Sequence, residues 1–492
     1  MNAFAQTRRR ARAVGAMAFL LSGLLLQAAL EASPASGASQ TARQLNVLFI
    51  VADDLNNSLG CYGHPVVKSP NLDRLARHGV RFERAYCNYP VCNASRASFL
   101  SGLRPETTRV LDNETPTRRY IGDAPMLPEH FRRHGYRTLK VGKIFHTGDA
   151  FEDPRSWDVD IRENDTAKNP PAEQILRPFG ARGMILKARD EETWDGFVAR
   201  KSVALLEEAL AANQPFFLAV GFRRPHAPYI APEKYFALYD AAKLKPRAGP
   251  PGHVTNIPPL ALTYKLGDPA FPTGSLAGET IAAYYASVSF MDAQVGLLLD
   301  ALDRHRLWER TVVVFLSDHG YHLGEHGGLW HKMTLFEESA AAPLMVAAPG
   351  RKAGVSSPRL VEFVDVYPTL VELCGLPGVT PLEGRSFAPL LQNPRRPWKQ
   401  AAFTVVARAR TELSDAPARG TEWKKQLDPN WLGRTVRTER WRYTEWPDGT
   451  SELYDHRTDP YEYVNLALAP KHQRTVAELK SLLRRGGQTA VP

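Results

Sequence analysis

The sequence predicts an α/β protein, with a doubly wound sheet followed by a smaller α+β subdomain. Short and almost continuously apolar runs, typical of strands covered on both faces, alternate with stretches at helical spacing. Two of the clearest strand runs stop at acidic residues. From about residue 395, short polar–apolar alternations containing Trp and Tyr, with a Pro-Asp-Gly turn, replace this pattern and indicate an antiparallel sheet.

The elements follow from the same patterns in chain order. Buried strands are predicted at 45–52, 136–141, 215–221, 311–317 and 343–348. Helices are predicted at 71–78, 193–211, 280–302 and 472–485. The Pro- and Gly-rich stretch 244–275 has little periodicity and is predicted to be a long ordered loop. A hairpin is predicted over 440–455.

Length and composition are those of a globular protein with two or three domains. The chain has 492 residues, of which 43% are hydrophobic and 23% charged. We predict a signal peptide at 1–40, an α/β catalytic domain at 41–394 and a C-terminal subdomain at 395–492. The net charge of +10 fits a polyanionic substrate. Nothing resembles a nucleic-acid-binding module.

The amino terminus reads as a secretory signal peptide. Four arginines between residues 8 and 12 precede an apolar run at 13–30, and small residues follow at 35–39. A membrane anchor is the alternative, but the run is short and interrupted. We therefore expect export to the periplasm or beyond, without a stable membrane anchor. Export also permits disulfides, and a Cys61–Cys87 bridge is possible.

Two pairs of metal-capable residues stand at the carboxyl ends of predicted strands. They are Asp53-Asp54 and Asp318-His319. Ligands bind at that edge of open α/β sheets, and carboxylates suit a hard cation such as Ca²⁺ or Mg²⁺. The acids could instead cap helices or lie in solvated loops. The histidines at 319, 322, 326 and 331 invite a zinc hypothesis, but their spacing gives no closed tetrahedral site.

A cysteine motif connects these pairs to one enzyme family. Residues 90–102 read PVCNASRASFLSG, and this run around Cys92 resembles the signature of type I sulfatases. Further similar segments lie at 46–55, 60–63, 69–73, 222–228, 317–327 and 452–466. The likeness covers nearly all of residues 45–470, and the version with His319 most resembles the iduronate-2-sulfatase branch.

The resemblance implies an alkaline-phosphatase-like fold and a modified nucleophile. In the family, a formylglycine-generating enzyme oxidises the cysteine to an aldehyde, whose hydrate attacks the sulfur of a sulfate ester. The positions that would bind one calcium ion are Asp53, Asp54, residue 92, Asp318 and His319.

The remaining polar roles are also implied by resemblance. Arg96 would hold the nucleophile, and Lys143 would contact the sulfate and formylglycine. His146 would be the base that expels sulfate. His226 and Lys332 would contact the ester, and one of them would protonate the leaving alcohol. Taken alone, each of these could be a surface lysine or a capped histidine.

We therefore expect an exported, calcium-dependent sulfatase acting on a sulfated sugar or polysaccharide. The iduronate branch suggests a 2-O-sulfated uronic acid as substrate. Two alternatives stay open: a phosphodiester or phosphonate ester hydrolase on the same fold, and a non-catalytic glycan-binding homologue with an unmodified thiol at Cys92. The sequence does not define the oligomeric state.

Overall fold

The computed structural model describes residues 44–262, 272–410 and 427–486, so the predicted signal peptide at 1–40 lies outside the described residues. The strands are β1 (Asn46–Asp53), β2 (Val80–Tyr86), β3 (Arg137–Gly142), β4 (Val159–Ile161), β5 (Ile175–Phe179), β6 (Gly183–Leu186), β7 (Phe216–Pro225), β8 (Tyr229–Pro232), β9 (Thr311–Ser317), β10 (His322–Gly324), β11 (Leu329–His331), β12 (Leu344–Ala347), β13 (Val355–Glu362), β14 (Ala402–Ala409), β15 (Leu427–Arg437), β16 (Trp441–Glu445) and β17 (Ser451–Asp455).

The helices range from single turns to one long helix. They are α1 (Pro70–His78), α2 (Cys92–Ser101), α3 (Pro105–Thr108), α4 (Leu127–Arg133), α5 (Trp194–Ala211), α6 (Glu233–Phe236), α7 (Pro259–Leu262), α8 (Gly274–Arg304), α9 (Glu325–Gly328), α10 (Glu337–Ala340), α11 (Val366–Leu373), α12 (Ala388–Gln392) and α13 (Gln473–Arg485). None of those in the described part of the chain is both long and apolar enough to cross a membrane.

Eight strands form the central sheet in the order β13-β2-β12-β9-β1-β7-β3-β4. Within this sheet β12 runs antiparallel to both neighbours and the other paired strands are parallel. The sheet is therefore mixed, and the predicted α/β class is confirmed. Four adjacent strands, β9, β1, β7 and β3, end at the same edge.

Helices cover both faces of this sheet, as the apolar character of β1 predicts. Leu48 and Ile50 belong to a core that includes residues of α1, α5 and α8. Val47 and Phe49 point to the opposite face, where residues of α2, α4 and α11 pack. Successive strand side chains point to opposite faces, so one unbroken apolar run supplies both cores. The doubly wound arrangement is confirmed.

Some predicted boundaries are wrong. Helix α8 begins at Gly274, six residues before the predicted start at 280, and the segment 259–262 is a helical turn, so 244–275 is not one continuous loop. A Cβ on Gly278 would lie 2.5 Å from the Ala241 carbonyl oxygen. The first turns of α8 therefore use small residues for close packing, and these residues show no amphipathic period. The four cysteines are free, so the possible Cys61–Cys87 bridge does not form.

Two small sheets lie outside the predicted elements. Strands β5, β6 and β8 form one of them, and β10 pairs with β11 in the other. The C-terminal strands β14 to β17 form the predicted antiparallel sheet, against which α13 packs through Leu479 and Leu482. The domain boundary at 394/395 stays a prediction.

One buried carboxylate joins the end of β13 to its surroundings. Arg104 donates two hydrogen bonds to Glu362, at 2.7 and 3.0 Å, and Lys399 lies 2.6 Å from the same carboxylate. The backbone N–H of Phe403, in β14, also donates to Glu362. Burial raises the pKa of Glu362, but the charges of Arg104 and Lys399 outweigh this effect and lower the pKa to about 2. Glu362 therefore ties the central sheet to the C-terminal sheet.

We predict that Glu362→Gln destabilises the protein by about 3 kcal/mol at pH 7, because it leaves two buried cations without their main partner. Because the folded pKa lies below the ordinary value of about 4.3, this stabilisation is present above that value and is lost as pH falls towards 2. Urea denaturation at several pH values measures the effect. Glu439→Gln, which removes an exposed partner of Arg359, is the control. A difference between wild type and Glu362→Gln that stayed constant from pH 7 to pH 3 would contradict the assignment.

Candidate active site

The candidate site is built at the edge where the four adjacent parallel strands end. Asp53 is the last residue of β1, and Asp318 directly follows β9. Lys143 directly follows β3, and His226 directly follows β7. Since Ala52 pairs with Ser317 and Gly142 pairs with Gly221, the strand register aligns these ends. The register brings side chains separated by up to 265 residues of sequence to one edge.

Two glycines permit the close approach of β3 and β7 at this edge. Gly142 has φ +82°, and a Cβ there would lie 2.2 Å from the Gly221 carbonyl oxygen. A Cβ on Gly221 would lie within 2.5 Å of three Lys143 backbone atoms. The chain can therefore turn sharply after β3, and the turn carries Lys143 towards the end of β1.

Both members of the first acidic pair reach the same place because the strand ends between them. Asp54 has a φ of 64°, outside the range of a strand. Asp318 Oδ1 accepts hydrogen bonds from the backbone N–H groups of Asp54 and His319, both at 3.1 Å. The side chain of Asp318 therefore fixes the turns after both β1 and β9.

Cys92 is the first residue of α2 and faces the acids. Its Sγ lies 3.3 Å from Asp53 Oδ1, 3.5 Å from His319 Nε2 and 2.9 Å from Lys332 Nζ. All ten residues of α2 are buried, so the position of the Cys92 side chain is fixed by a helix packed on all sides. Burial and the negative charge of Asp53 raise the pKa of the Cys92 thiol. The thiol is therefore protonated at neutral pH and is a poor nucleophile as such.

Four residues offer ligand atoms that all lie within 4.8 Å of one another: Asp53, Asp54, Cys92 and His319. Their side chains are buried, and the pair of carboxylates supplies the oxygen atoms that a hard cation prefers. Asp318 stands outside this group of four, although its Oδ1 lies 3.6 Å from His319 Nε2. The donor set fits a divalent metal ion.

Three cations compensate the buried acids. Arg96 Nε lies 3.0 Å from Asp318 Oδ2, and Arg96 Nη2 lies 3.6 Å from Asp53 Oδ1. Lys143 Nζ donates to Asp53 Oδ2, and Lys332 Nζ donates to Asp54 Oδ1. The Arg96 hydrogen bonds go to Asp318 and to main-chain carbonyls. Its predicted role of holding residue 92 stays a prediction.

The two buried aspartates of the first pair respond differently to these surroundings. Burial raises the pKa of Asp53, but the charges of Lys143, Arg96 and Lys332 hold it well below the ordinary value. Burial also raises the pKa of Asp54, and there Lys332 does not fully offset the burial and the nearby charge of Asp53. A further positive charge would therefore be most favourable beside Asp54.

The two candidate histidines, His146 and His226, are neutral in this environment. Burial, with the charge of Lys143, lowers the pKa of His146 to about 2. The buried Nδ1 of His146 has no hydrogen-bond partner among the described residues. Burial also lowers the pKa of His226, whose Nε2 lies 3.9 Å from Asp54 Oδ2. Neutral imidazoles can accept protons, so both can act as bases.

Sequence reasoning missed the group that supports His226. Arg223 Nη2 lies 3.2 Å from His226 Nδ1, and Arg223 Nη1 lies 2.8 Å from Glu163 Oε1. Glu163 also accepts a hydrogen bond from Thr147 Oγ1. Arg223 stands close to the histidine in the segment 222–228, but no local pattern marks Glu163, whose approach depends on the fold.

The histidine-rich segment does not form a zinc site among the residues described. His322 Nε2 lies 2.7 Å from Thr334 Oγ1, and His326 Nε2 lies 3.3 Å from Glu338 Oε2. His331 Nδ1 lies 2.9 Å from the Tyr321 hydroxyl. These three histidines are committed to separate hydrogen bonds, and only His319 joins the candidate metal ligands.

Known proteins are similar to this chain in sequence and in structure. A family profile described as Sulfatase matches residues 45–376. Iduronate 2-sulfatase from Homo sapiens is 31% identical, with 87% of this chain and 92% of the human protein covered. Choline-sulfatase from Rhizobium meliloti is 32% identical over 87% of this chain and 83% of that protein. The structure of phosphonate monoester hydrolase from Agrobacterium radiobacter superposes with a TM-score of 0.77, at 25% identity, over 90% of this chain and 96% of that one.

The fold is that of the alkaline-phosphatase-like class. Within that class, the chain belongs to the sulfatase family and is a sulfuric ester hydrolase.

We predict that Arg96→Met destabilises the metal-free protein by about 3–5 kcal/mol, because it leaves Asp53 and Asp318 buried without their shared cation. Urea denaturation with a chelator present measures the change. Arg189→Met, at an exposed arginine paired with Glu191 and Glu192, should leave stability almost unchanged, because solvent screens this ion pair. Equal effects of the two substitutions would refute the proposed compensation of buried charge.

Proposed function

We propose that this protein hydrolyses sulfate esters on sulfated sugars with a formylglycine made from Cys92 and a bound calcium ion. The single observation that carries the proposal is the position of Cys92 Sγ, between Asp53, His319 and Lys332 at the start of a buried helix. The thiol sulfur stands where an oxygen of a hydrated aldehyde would lie. Its raised pKa argues against direct use as a thiolate.

The metal would be held by Asp53, Asp54, residue 92, Asp318 and His319. When bound, calcium and the hydrated aldehyde supply charge stabilisation and the attacking hydroxyl, respectively. Support comes from the ligand atoms that lie within 4.8 Å of one another and from the raised pKa of Asp54. Oxygen-rich coordination favours calcium over zinc.

This chain's own side chains would bind the sulfate and move protons. Arg96, Lys143 and Lys332 hold fixed positive charge around the site, which stabilises negative charge that develops on the sulfuryl oxygens. Burial opposes the charge of Lys332, but Asp54 and the other acids raise its pKa above the ordinary value. Lys332 therefore carries the proton, whereas His226 is neutral, and Lys332 is the better donor to the leaving alcohol.

His146 would be the base that receives a proton when sulfate leaves. Its neutral imidazole has an Nδ1 without a partner among the residues described, so that atom is available to a bound group. The low pKa of about 2 keeps the ring unprotonated before the reaction. A bound sulfate would bring a negative charge that raises this pKa and so assists proton transfer.

The substrate class follows from the relatives and from the charge of the chain. One relative is named for iduronate and another for choline. A sulfated uronic acid suits the net charge of +10, and the amino-terminal segment suits export to a compartment where such polysaccharides occur. The fold similarity to a phosphonate monoester hydrolase makes phosphonate ester hydrolysis the activity to compare.

We predict that Cys92→Ala removes aryl sulfate turnover, because no other described side chain in the site is placed to supply the nucleophile. In protein made with the formylglycine-generating enzyme, the peptide containing residue 92 should have lost one sulfur and two hydrogens and gained one oxygen. Peptide mass spectrometry and an aryl sulfate assay measure both. An unmodified thiol in fully active protein would refute the mechanism. Faster turnover of an aryl phosphonate than of an aryl sulfate would favour the alternative activity.

We predict that calcium stabilises the protein by about 2.7 kcal/mol when its concentration is a hundred times the dissociation constant. Asp54→Asn should abolish this stabilisation without unfolding the protein, because the pKa of Asp54 is already raised. Thermal denaturation with calcium, zinc or chelator measures the shift. Asp73→Asn, at a carboxylate that bonds the Cys61 backbone N–H away from the site, is the control. An equal response of both variants to calcium would contradict the ligand assignment.

A further inference from the structure

A cavity of about 720 Å³ opens directly beside the reactive group. Asp54, His226 and Lys332 line the cavity at the site. Its volume lies within the range of ordinary ligand pockets and can hold more than a sulfate ion. The cavity is therefore the place for the sugar that carries the ester.

Strands β5, β6 and β8 supply a wall of this cavity. Ile175, Pro178 and Met184 of β5 and β6 line it, together with Val91 and Met333 from other segments. These apolar side chains can pack against the C–H face of a sugar ring but cannot recognise a charged substituent. Recognition of such a substituent requires a polar group on the same wall.

Arg182 is that group. It lies in the turn between β5 and β6, and its backbone carbonyl accepts a 2.8 Å hydrogen bond from the N–H of Tyr229, so the turn is fixed to β8. Arg182 is half-buried and lines the cavity. Its guanidinium forms neither an ion pair nor a hydrogen bond with any residue that the structure describes.

The other cations near this cavity have partners. Lys332 is paired with Asp54, and Arg223 is paired with Glu163. Arg182 alone among these three keeps its charge without a carboxylate in the described parts of the chain. A half-buried guanidinium has lost some of its hydration, and a carboxylate or sulfate that binds it with two N–H groups replaces that hydration.

We propose that Arg182 determines specificity by binding a second anionic group of the substrate, either a ring carboxylate or a second sulfate. This inference rests on the proposed function and names the feature that its substrate must carry. Arg182 would favour sulfated uronic acids and multiply sulfated sugars over esters with one negative charge. It would also repel a substrate with a cationic substituent, such as choline sulfate.

Steady-state kinetics of Arg182→Met tests the proposal with four substrates. They are a 2-O-sulfated uronic acid disaccharide, its carboxyl-reduced counterpart, a disulfated neutral sugar and 4-nitrophenyl sulfate. Arg182→Met should raise KM for the uronate or for the disulfated sugar by roughly 10- to 100-fold, because the substrate loses a charge-assisted hydrogen bond. Values of kcat should change less than about twofold, and the aryl sulfate should react as with wild type. Arg182→Lys should restore part of the loss.

Arg177→Met is the matched control, because Arg177 lies on the same hairpin but is exposed, stacks over Phe179 and does not line the cavity. It should behave as wild type with all four substrates. A KM penalty confined to the uronate identifies the carboxylate as the bound anion, and one confined to the disulfated sugar identifies the second sulfate. Equal losses on all substrates, or no loss on any, would overturn the role of Arg182.

A binding measurement separates this inference from the proposed reaction. Calorimetry measures the binding of the desulfated uronate disaccharide to three proteins: Cys92→Ala, Cys92→Ala with Arg182→Met, and Cys92→Ala with Arg177→Met. This measurement requires no turnover. Binding that Arg182→Met weakens at least tenfold, and Arg177→Met leaves unchanged, supports the inference even if the wild type hydrolyses no sulfate ester and the proposed reaction fails. Binding that is equal in all three proteins, together with a KM for the disulfated sugar that Arg182→Met leaves unchanged, overturns it while leaving the sulfatase activity standing.

Discussion

The structure depends on the burial of three aspartates at one edge of the sheet. Asp53, Asp54 and Asp318 are at most 1% exposed, and like charges in such surroundings repel strongly and lose hydration. The fold accepts them only because Arg96, Lys143 and Lys332 approach from three other segments. The turn after each strand places the carboxylates next to the cations rather than in solvent, which this burial of charge requires.

The residues proposed for the chemistry and the residue proposed for substrate selection lie in different parts of the fold. The acids, Lys143 and His226 lie at the ends of strands of the central sheet, whose position two layers of helices fix. Arg182 instead lies in the turn of the small hairpin β5-β6. Hairpins can change in length and sequence without disturbing the core.

Much of the fold, and the sheet edge that carries the candidate metal ligands, could be predicted because their signals are local. An apolar run that stops at Asp53-Asp54 or Asp318-His319 encodes both a strand and the turn after it. Other features depend on tertiary contacts and leave no such signal. Glu163 meets Arg223 across 60 residues of sequence, and Arg182 is notable only because no described residue neutralises it. The start of α8 was missed because Gly278 permits close packing and interrupts the helical pattern.

The distribution of protons follows from the same buried charge. Lys332 donates a hydrogen bond to Asp54, and the negative charges of Asp54, Asp53 and Asp318 keep it protonated. His226 has the Arg223 guanidinium 3.2 Å from its Nδ1 and lies near Lys332 and Lys143, and burial with these charges keeps it neutral. A neutral His226 adds no charge to a site that must already hold an anionic ester, whereas the charge of Lys332 lies beside the attacked centre. The different protonation of Lys332 and His226 therefore follows from the charges of their neighbours and from burial.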